Sequence, residues 1–154
     1  MTDPIPAGMA DRIVPYLMVD GASDAIEFYG RAFGATERYR MAMPDGTIGH
    51  AEFEIDGALF YIADAPDDMP GSAGNPRRFG GTSVILHRYV ADVDGAFERA
   101  VAAGATAVRA PEDQFYGDRA AVVDDPWGHE WSLHTHIRDM SPEEMEEAMK
   151  AMGG

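Results

Sequence analysis

The tripeptide Gly-Ala-Thr stands at positions 34–36 and again at 104–106, seventy residues apart, and each copy closes a segment with helical spacing. A recurrence of this kind is the mark of a duplicated structural unit. In the first segment Ala22, Ala25, Ile26, Tyr29 and Phe33 recur at steps of three and four; in the second, Val93, Ala96, Phe97, Ala100 and Val101 do so. Each predicts an amphipathic helix stopped by a glycine that can turn left-handed. Asp20 or Ser23 is placed to cap the first helix and Asp92 the second.

The surrounding runs complete the unit. Strands are expected at Ile13–Val19, Glu37–Met43, Ile48–Ile55 and Ala58–Ala63, and again at Ser83–Val90, Thr106–Ala110, Arg119–Val123 and Glu130–Ile137. Asp56-Gly57 between two apolar runs is a hairpin signal. The fold class is therefore α+β, with two tandem βαβββ modules at 13–63 and 82–138. A lead-in at 1–12 precedes them, and a Pro- and Gly-rich connector at 64–81 joins them. Residues 139–154 predict a further amphipathic helix: Ser141 caps it, Pro142 takes the first position and Glu144 completes a capping box. Met145, Ala148, Met149 and Met152 form its apolar stripe, expected to dock the helix on the domain; a subunit contact or a protein partner is the alternative use.

Composition narrows the chemistry. With 154 residues, 27 acidic and 12 basic side chains, the formal charge is −15, which opposes nucleic acid and anionic membrane as partners. The absence of cysteine removes disulfides, thiolate metal sites and a cysteine nucleophile. The lead-in lacks a basic cluster followed by an apolar run, so a cytoplasmic location is expected. Neither a G-x-S-x-G nor a phosphate-binding glycine motif occurs, which leaves serine-hydrolase and nucleotide readings without a sequence motif. His129 and His134 are five apart in a predicted strand, which does not suit the two-histidine zinc helix.

Strand alternation sorts the remaining polar residues. His50, Glu52 and Glu54 oppose Ala51, Phe53 and Ile55; His87 and Tyr89 oppose Leu86 and Val90; Ser132, His134 and His136 oppose Trp131 and Leu133. If the polar faces converge, Tyr16, His50, Glu52, Tyr61, Tyr89 and Ser132 line one ligand cavity, with His87 and His134 as candidate general bases. Gln114, Tyr116 and Arg119 bracket a neighbouring loop, where Arg119 either pairs with a ligand anion or fixes the loop. His136 is read as a structural hydrogen-bonding residue and His129 as having a local role.

Ile26-Glu27-Phe28-Tyr29 in the first helix and Asp125-Pro126-Trp127-Gly128-His129 before the last strand, carried on paired βαβββ units, resemble the vicinal oxygen chelate superfamily. That group contains glyoxalase I, bleomycin-resistance proteins and extradiol dioxygenases. The stretches Asp113–Arg119, Trp131–His136 and Ser141–Met145 resemble its PhnB-type subgroup. The resemblance implies a curved, half-open barrel with a concave ligand site, and a homodimer. It places the family's metal ligands at about Val14, Tyr61, Ile85 and Ser132, where no histidine or carboxylate stands. No cofactor is therefore expected, with a displaced divalent metal on His50, His87 and His134 as the alternative. The function expected is metal-independent binding of a small molecule; a lyase, isomerase or dioxygenase using a histidine base is the second reading.

Overall fold

The computed structural model describes residues 2–66, 68, 70 and 74–153; connector positions 67, 69 and 71–73 lie outside the described residues. The element order is β1 (Tyr16–Val19), α1 (Ala22–Phe33), β2 (Thr36–Ala42), β3 (Ile48–Ile55), β4 (Ala58–Asp64), β5 (Ile85–Tyr89), α2 (Val93–Ala103), β6 (Thr106–Asp113), β7 (Asp118–Asp124), β8 (Glu130–His136) and α3 (Pro142–Met152). Two four-stranded sheets result, ordered β1-β4-β3-β2 and β5-β8-β7-β6. In each, the strand before the helix runs parallel to the module's last strand, and the other pairings are antiparallel. Tyr16 pairs with Tyr61 in one sheet and His87 with Ser132 in the other, an offset of 71 residues for both partners. The fold is α+β, two βαβββ modules and a C-terminal helix.

The sequence places most boundaries, and the exceptions have physical reasons. The first strand starts at Tyr16 because Pro15 lacks a donor for the ladder, and Ile13 is left 98% exposed. The last residues of β6 run past Ala110 through Pro111, tolerated because β6 is an edge strand and its register slips between Arg109 and Glu112. Neither Asp20 nor Ser23 caps α1. Gly21 occupies the cap position at φ 101°, and the carboxylate of Asp64 accepts from the backbone N–H of Gly21 (2.7 Å) and Ala22 (2.8 Å) across the sheet. Its other oxygen accepts from Ile48 N at 2.7 Å. The second module repeats the device, with Thr135 Oγ1 accepting from Val93 N at 2.9 Å, while Asp92 caps α2 as expected.

Helices α1 and α2 pack on the apolar sheet faces and on each other, so both modules share one core. Phe28, Tyr29, Phe53 and Trp131 are its most completely buried aromatic members, each at most 1% exposed. Burying one such ring contributes about 2–3 kcal/mol. Asp125, also buried, ties the halves: one oxygen accepts from Tyr29 OH (2.6 Å) and Trp131 Nε1 (3.0 Å), the other from the N–H of Trp127 and His129. Burial and the Asp125 carboxylate together push the Tyr29 hydroxyl well above its ordinary pKa. From the same turn, Trp127 Nε1 donates to Asp20 O, and a His129 ring nitrogen meets Met18 O at 3.0 Å. His129 thus bridges the modules and is not merely local. Arg99 of α2 donates to the carbonyls of Gly30 and Arg31, satisfying the C-terminal end of α1.

Helix α3 departs from expectation. Its capping box forms as read, but none of its residues is buried and no Cα of it comes within 8 Å of another helix or strand. Of the methionine stripe, Met145 and Ala148 are half-buried, while Met149 and Met152 are 54% and 66% exposed, so the stripe is at most loosely packed on its own chain. None of the described helices is long and apolar enough to cross a membrane.

Candidate functional site

Each sheet turns one face to the helices and leaves the other open, as the alternation requires. No strand of one sheet brings a Cα within 8 Å of a strand of the other. The residues expected to line one cavity therefore separate into two clusters within the chain, and among the described residues no closed barrel joins them.

On the first open face, Tyr16 and Tyr61 are cross-strand partners, as are Glu52 and Tyr61. The Tyr16 hydroxyl and His50 Nδ1 lie 2.7 Å apart, and the His50 ring packs edge-on against Tyr61 at 4.8 Å. His50 Nε2 reaches Glu52 at 3.4 Å. Tyr39, not anticipated from the sequence, adds a ring 6.5 Å from His50. Partial burial and the neighbouring Tyr61 raise the Tyr16 hydroxyl above its ordinary pKa, so it donates.

On the second open face, His87 pairs across the strands with Ser132 and Tyr89 with His134. Asp118, at the start of β7, collects the cluster: His134 Nδ1 lies 3.0 Å and Tyr89 OH 2.9 Å from one oxygen, and His136 Nδ1 2.9 Å from the other. Ser132 Oγ lies 2.9 Å from His134 Nε2. The His87 ring is 4.1 Å from that of His134, and Tyr116 stacks on His134 at 6.2 Å. Ala120 stands directly opposite His134 in the neighbouring strand.

The electrostatics follow from these partners. Burial pushes the Asp118 carboxyl up, but hydrogen bonds from His136, His134 and Tyr89 and the electrostatic interaction with His134 outweigh it and hold the group below its ordinary pKa. Asp118 is thus an ionised acceptor. Burial and His134 lower the His87 imidazole against the pull of Asp118, so it is neutral at neutral pH. His136 goes the other way, raised by its bonds to Asp139 and Asp118, and serves to hold Asp118 in place.

Two of the loop residues stand apart. Arg119 lies on the helix side of β7, where it binds both oxygens of Asp94 (2.7 and 2.9 Å) and Asp113 (2.9 Å). It fixes α2 to the sheet and is not available to a ligand on the open face; strand parity, adjacent to Asp118, is the reason. Gln114 Nε2 donates to the Glu112 carbonyl within the turn. The residues sequence reasoning missed are Asp118 and Tyr39. The signal for Asp118 was its parity with Ala120 and Val122, usable only once the register against β8 is known.

A cavity of about 500 Å³ borders the second open face along β5. It lies in the seam between β5 and the β3–β4 hairpin, walled by Pro15, Ile55, Phe60, Leu86 and Trp131, with Arg88 bound to Asp56 at its rim. Its wall is mostly apolar, and His87 and Tyr89 of the second-face cluster also line it, so the cavity and that face adjoin.

A divalent ion does not suit the family's positions. Valine and isoleucine at 14 and 85 have no donor atom, and Ser132 is committed to His134. The displaced set is not gathered in the chain either: His87 and His134 touch, while His50 belongs to the other sheet. Among the described residues no three histidine, aspartate or glutamate side chains are grouped to hold a metal.

An uncharacterised protein of Mycobacterium bovis is 45% identical over 140 residues, spanning 90% of this chain and 92% of its own. The crystal structure of TioX from Micromonospora sp. ML1 is 29% identical with a TM-score of 0.65, covering 83% of this chain and all of that one. A PhnB protein from Bacillus cereus shares the fold at 18% identity, with a TM-score of 0.64 over 81% of this chain and 99% of its own. Residues 10–133 match the family model of the Glyoxalase/Bleomycin resistance protein/Dioxygenase superfamily, and the chain belongs to that superfamily.

Proposed function

We propose that the chain is a cytoplasmic small-molecule-binding protein of the glyoxalase/bleomycin-resistance type, which takes its ligand on the open sheet faces and uses no resident metal there. One observation carries this. Both open faces gather phenol and imidazole groups into clusters whose donors and rings point away from the core, an arrangement that fold stability alone does not require. Aromatic walls with a few fixed polar groups suit a flat, polar organic molecule.

The partner proposed is a second copy of the chain. Strands β1 and β5 are sheet edges, and Ile13, Val84 and Ile85 beside or on them are 98%, 63% and 56% exposed. Apolar edges of this kind favour pairing with another chain, which would roof faces that one chain leaves open. A second reading, proton transfer by His134 or His87 in a lyase, isomerase or dioxygenase-type enzyme, is favoured by the bond that orients His134 on Asp118.

The test is a titration with aromatic cations and with small dicarbonyl–thiol adducts, following the histidine and tyrosine ring resonances, beside light scattering for mass. Shifts confined to His50, Tyr61, His87 and Tyr89 in a dimer are expected. Ligand shifts centred on the seam residues Phe60 and Trp131 would move the site off the open faces and defeat the proposal.

A further inference from the structure

We propose that Ser132 is a nucleophile activated by His134 and Asp118, and that the open face of the second module hydrolyses small carboxylic esters. The inference rests on the small-molecule reading of that face and names its substrate class. The relay has the connectivity that nucleophilic serines need: Ser132 Oγ to His134 Nε2 at 2.9 Å, and His134 Nδ1 to Asp118 Oδ2 at 3.0 Å. An ionised carboxylate only accepts, so Nδ1 carries the proton, and in the neutral ring Nε2 accepts the serine hydroxyl. All three residues are less than a tenth exposed, at 7%, 5% and 5%, which shields their bonds from competing water. Tyr89 and His136 hold Asp118 from both oxygens and fix its orientation. Beside Ser132, its cross-strand partner His87 stands exposed and neutral, a donor for charge that develops on a carbonyl oxygen. These residues come from three strands, so no short sequence motif announces them.

Ser132 Oγ attacks the ester carbonyl carbon as its proton passes to His134 Nε2. The bond from that carbon to the alcohol oxygen breaks, and the leaving oxygen takes the proton. Water then attacks the acyl-serine and gives a proton to His134 Nε2. Ser132 Oγ departs with that proton, releasing the carboxylic acid.

The test uses the full chain, a fluorophosphonate probe and p-nitrophenyl acetate. Phosphonylation of Ser132, located by peptide mass spectrometry, is expected, with a burst of p-nitrophenol; both vanish in Ser132→Ala and slow roughly 100-fold or more in His134→Gln. Because the natural chain has no cysteine, Ser132→Cys supplies a single thiol. With His134 as base it should react with iodoacetamide at about pH 6.5 at least ~10 times faster than free cysteine, and lose that advantage in the Ser132→Cys/His134→Gln pair. A folded wild-type protein unlabelled at Ser132, or a Ser132→Cys variant whose thiol reacts at the ordinary rate, overturns the proposal. If Ser132→Ala still shows ligand shifts at His87 and Tyr89, the binding reading survives that failure; if those shifts are absent as well, both fall.

Discussion

The open faces of the two sheets begin from one scaffold and end in different chemical states. Tyr16 and Tyr61 hold the places that His87 and Ser132 hold 71 residues later, each pair facing across parallel strands. In the first module the groups meet mainly ring to ring, and the His50–Glu52 contact is long, at 3.4 Å. In the second, one carboxylate entering from the end of β7 converts a ring cluster into an ordered charged network. The backbone supplies equivalent positions; a residue that reaches across strands decides what they do.

The difference can be pressed hardest at the turns that lead into the faces. Gly117 precedes Asp118 at φ 93°, and a Cβ there would stand 2.1 Å from the Arg138 carbonyl oxygen. In the first module Gly46, at φ 87°, has nothing within 4 Å of the same point. Gly117→Ala is expected to cost about 3 kcal/mol or more, through strain and collision, and Gly46→Ala about 1 kcal/mol through backbone strain alone. Urea unfolding midpoints measure both, and equal losses would mean that the two turns are equally free.

A smaller effect is expected from the carboxylates themselves. Asp118→Asn weakens three bonds to a buried anion and should cost about 2 kcal/mol, whereas Glu52→Gln, on a longer and more exposed contact, should leave the midpoint nearly unchanged. Comparable losses would erase the contrast between the faces.

The second face should also impose a pH dependence with two opposed histidines. The His87 pKa is lowered by folding, so its contribution is present above its ordinary value of 6.5 and is lost as pH falls through the folded value. That of His136 is raised, so its contribution is full below 6.5 and is lost as pH rises through the folded value. His87→Gln should flatten the acid limb of a stability profile and His136→Gln the alkaline limb. The same limb vanishing in both variants would contradict the assignment.

The smallest effect belongs to α3, which touches neither face. A chain ending at Asp139 keeps the His136–Asp139 bond and should unfold at an unchanged midpoint. A fall in the midpoint at dilutions that give monomer would show that the helix docks after all.

Much of the architecture is legible in the sequence because it is written locally. Helical spacing, the Gly34 and Gly104 stops, the Asp56-Gly57 turn and the Ser141 capping box each act within a few residues, and all appear where read. What escapes is long-range. The cap of α1 comes from Asp64, 42 residues away from Ala22, and the core carboxylate Asp125 meets Tyr29 from 96 residues away. Alternation correctly groups Tyr16, His50, Glu52 and Tyr61, and likewise His87, Tyr89, Ser132 and His134. It says nothing about whether two sheets face each other, which is why one expected cavity resolves into two clusters. It also assigns Arg119 and Asp118 to opposite faces, and nearness in the chain obscured that division.

The carboxylate of Asp125 has a consequence for how the protein came to be and how it can change. A duplication begins with two equal halves. Here Tyr29 and Phe60 of one half lie against the tryptophans of the other, and the acceptor of Tyr29 belongs to the later half. Split at the connector, either piece would present an oily surface and stranded donors to water. The ancestral symmetry is still visible in the strands, but the halves have become mutually dependent, and recombination between relatives should succeed only when both are inherited together.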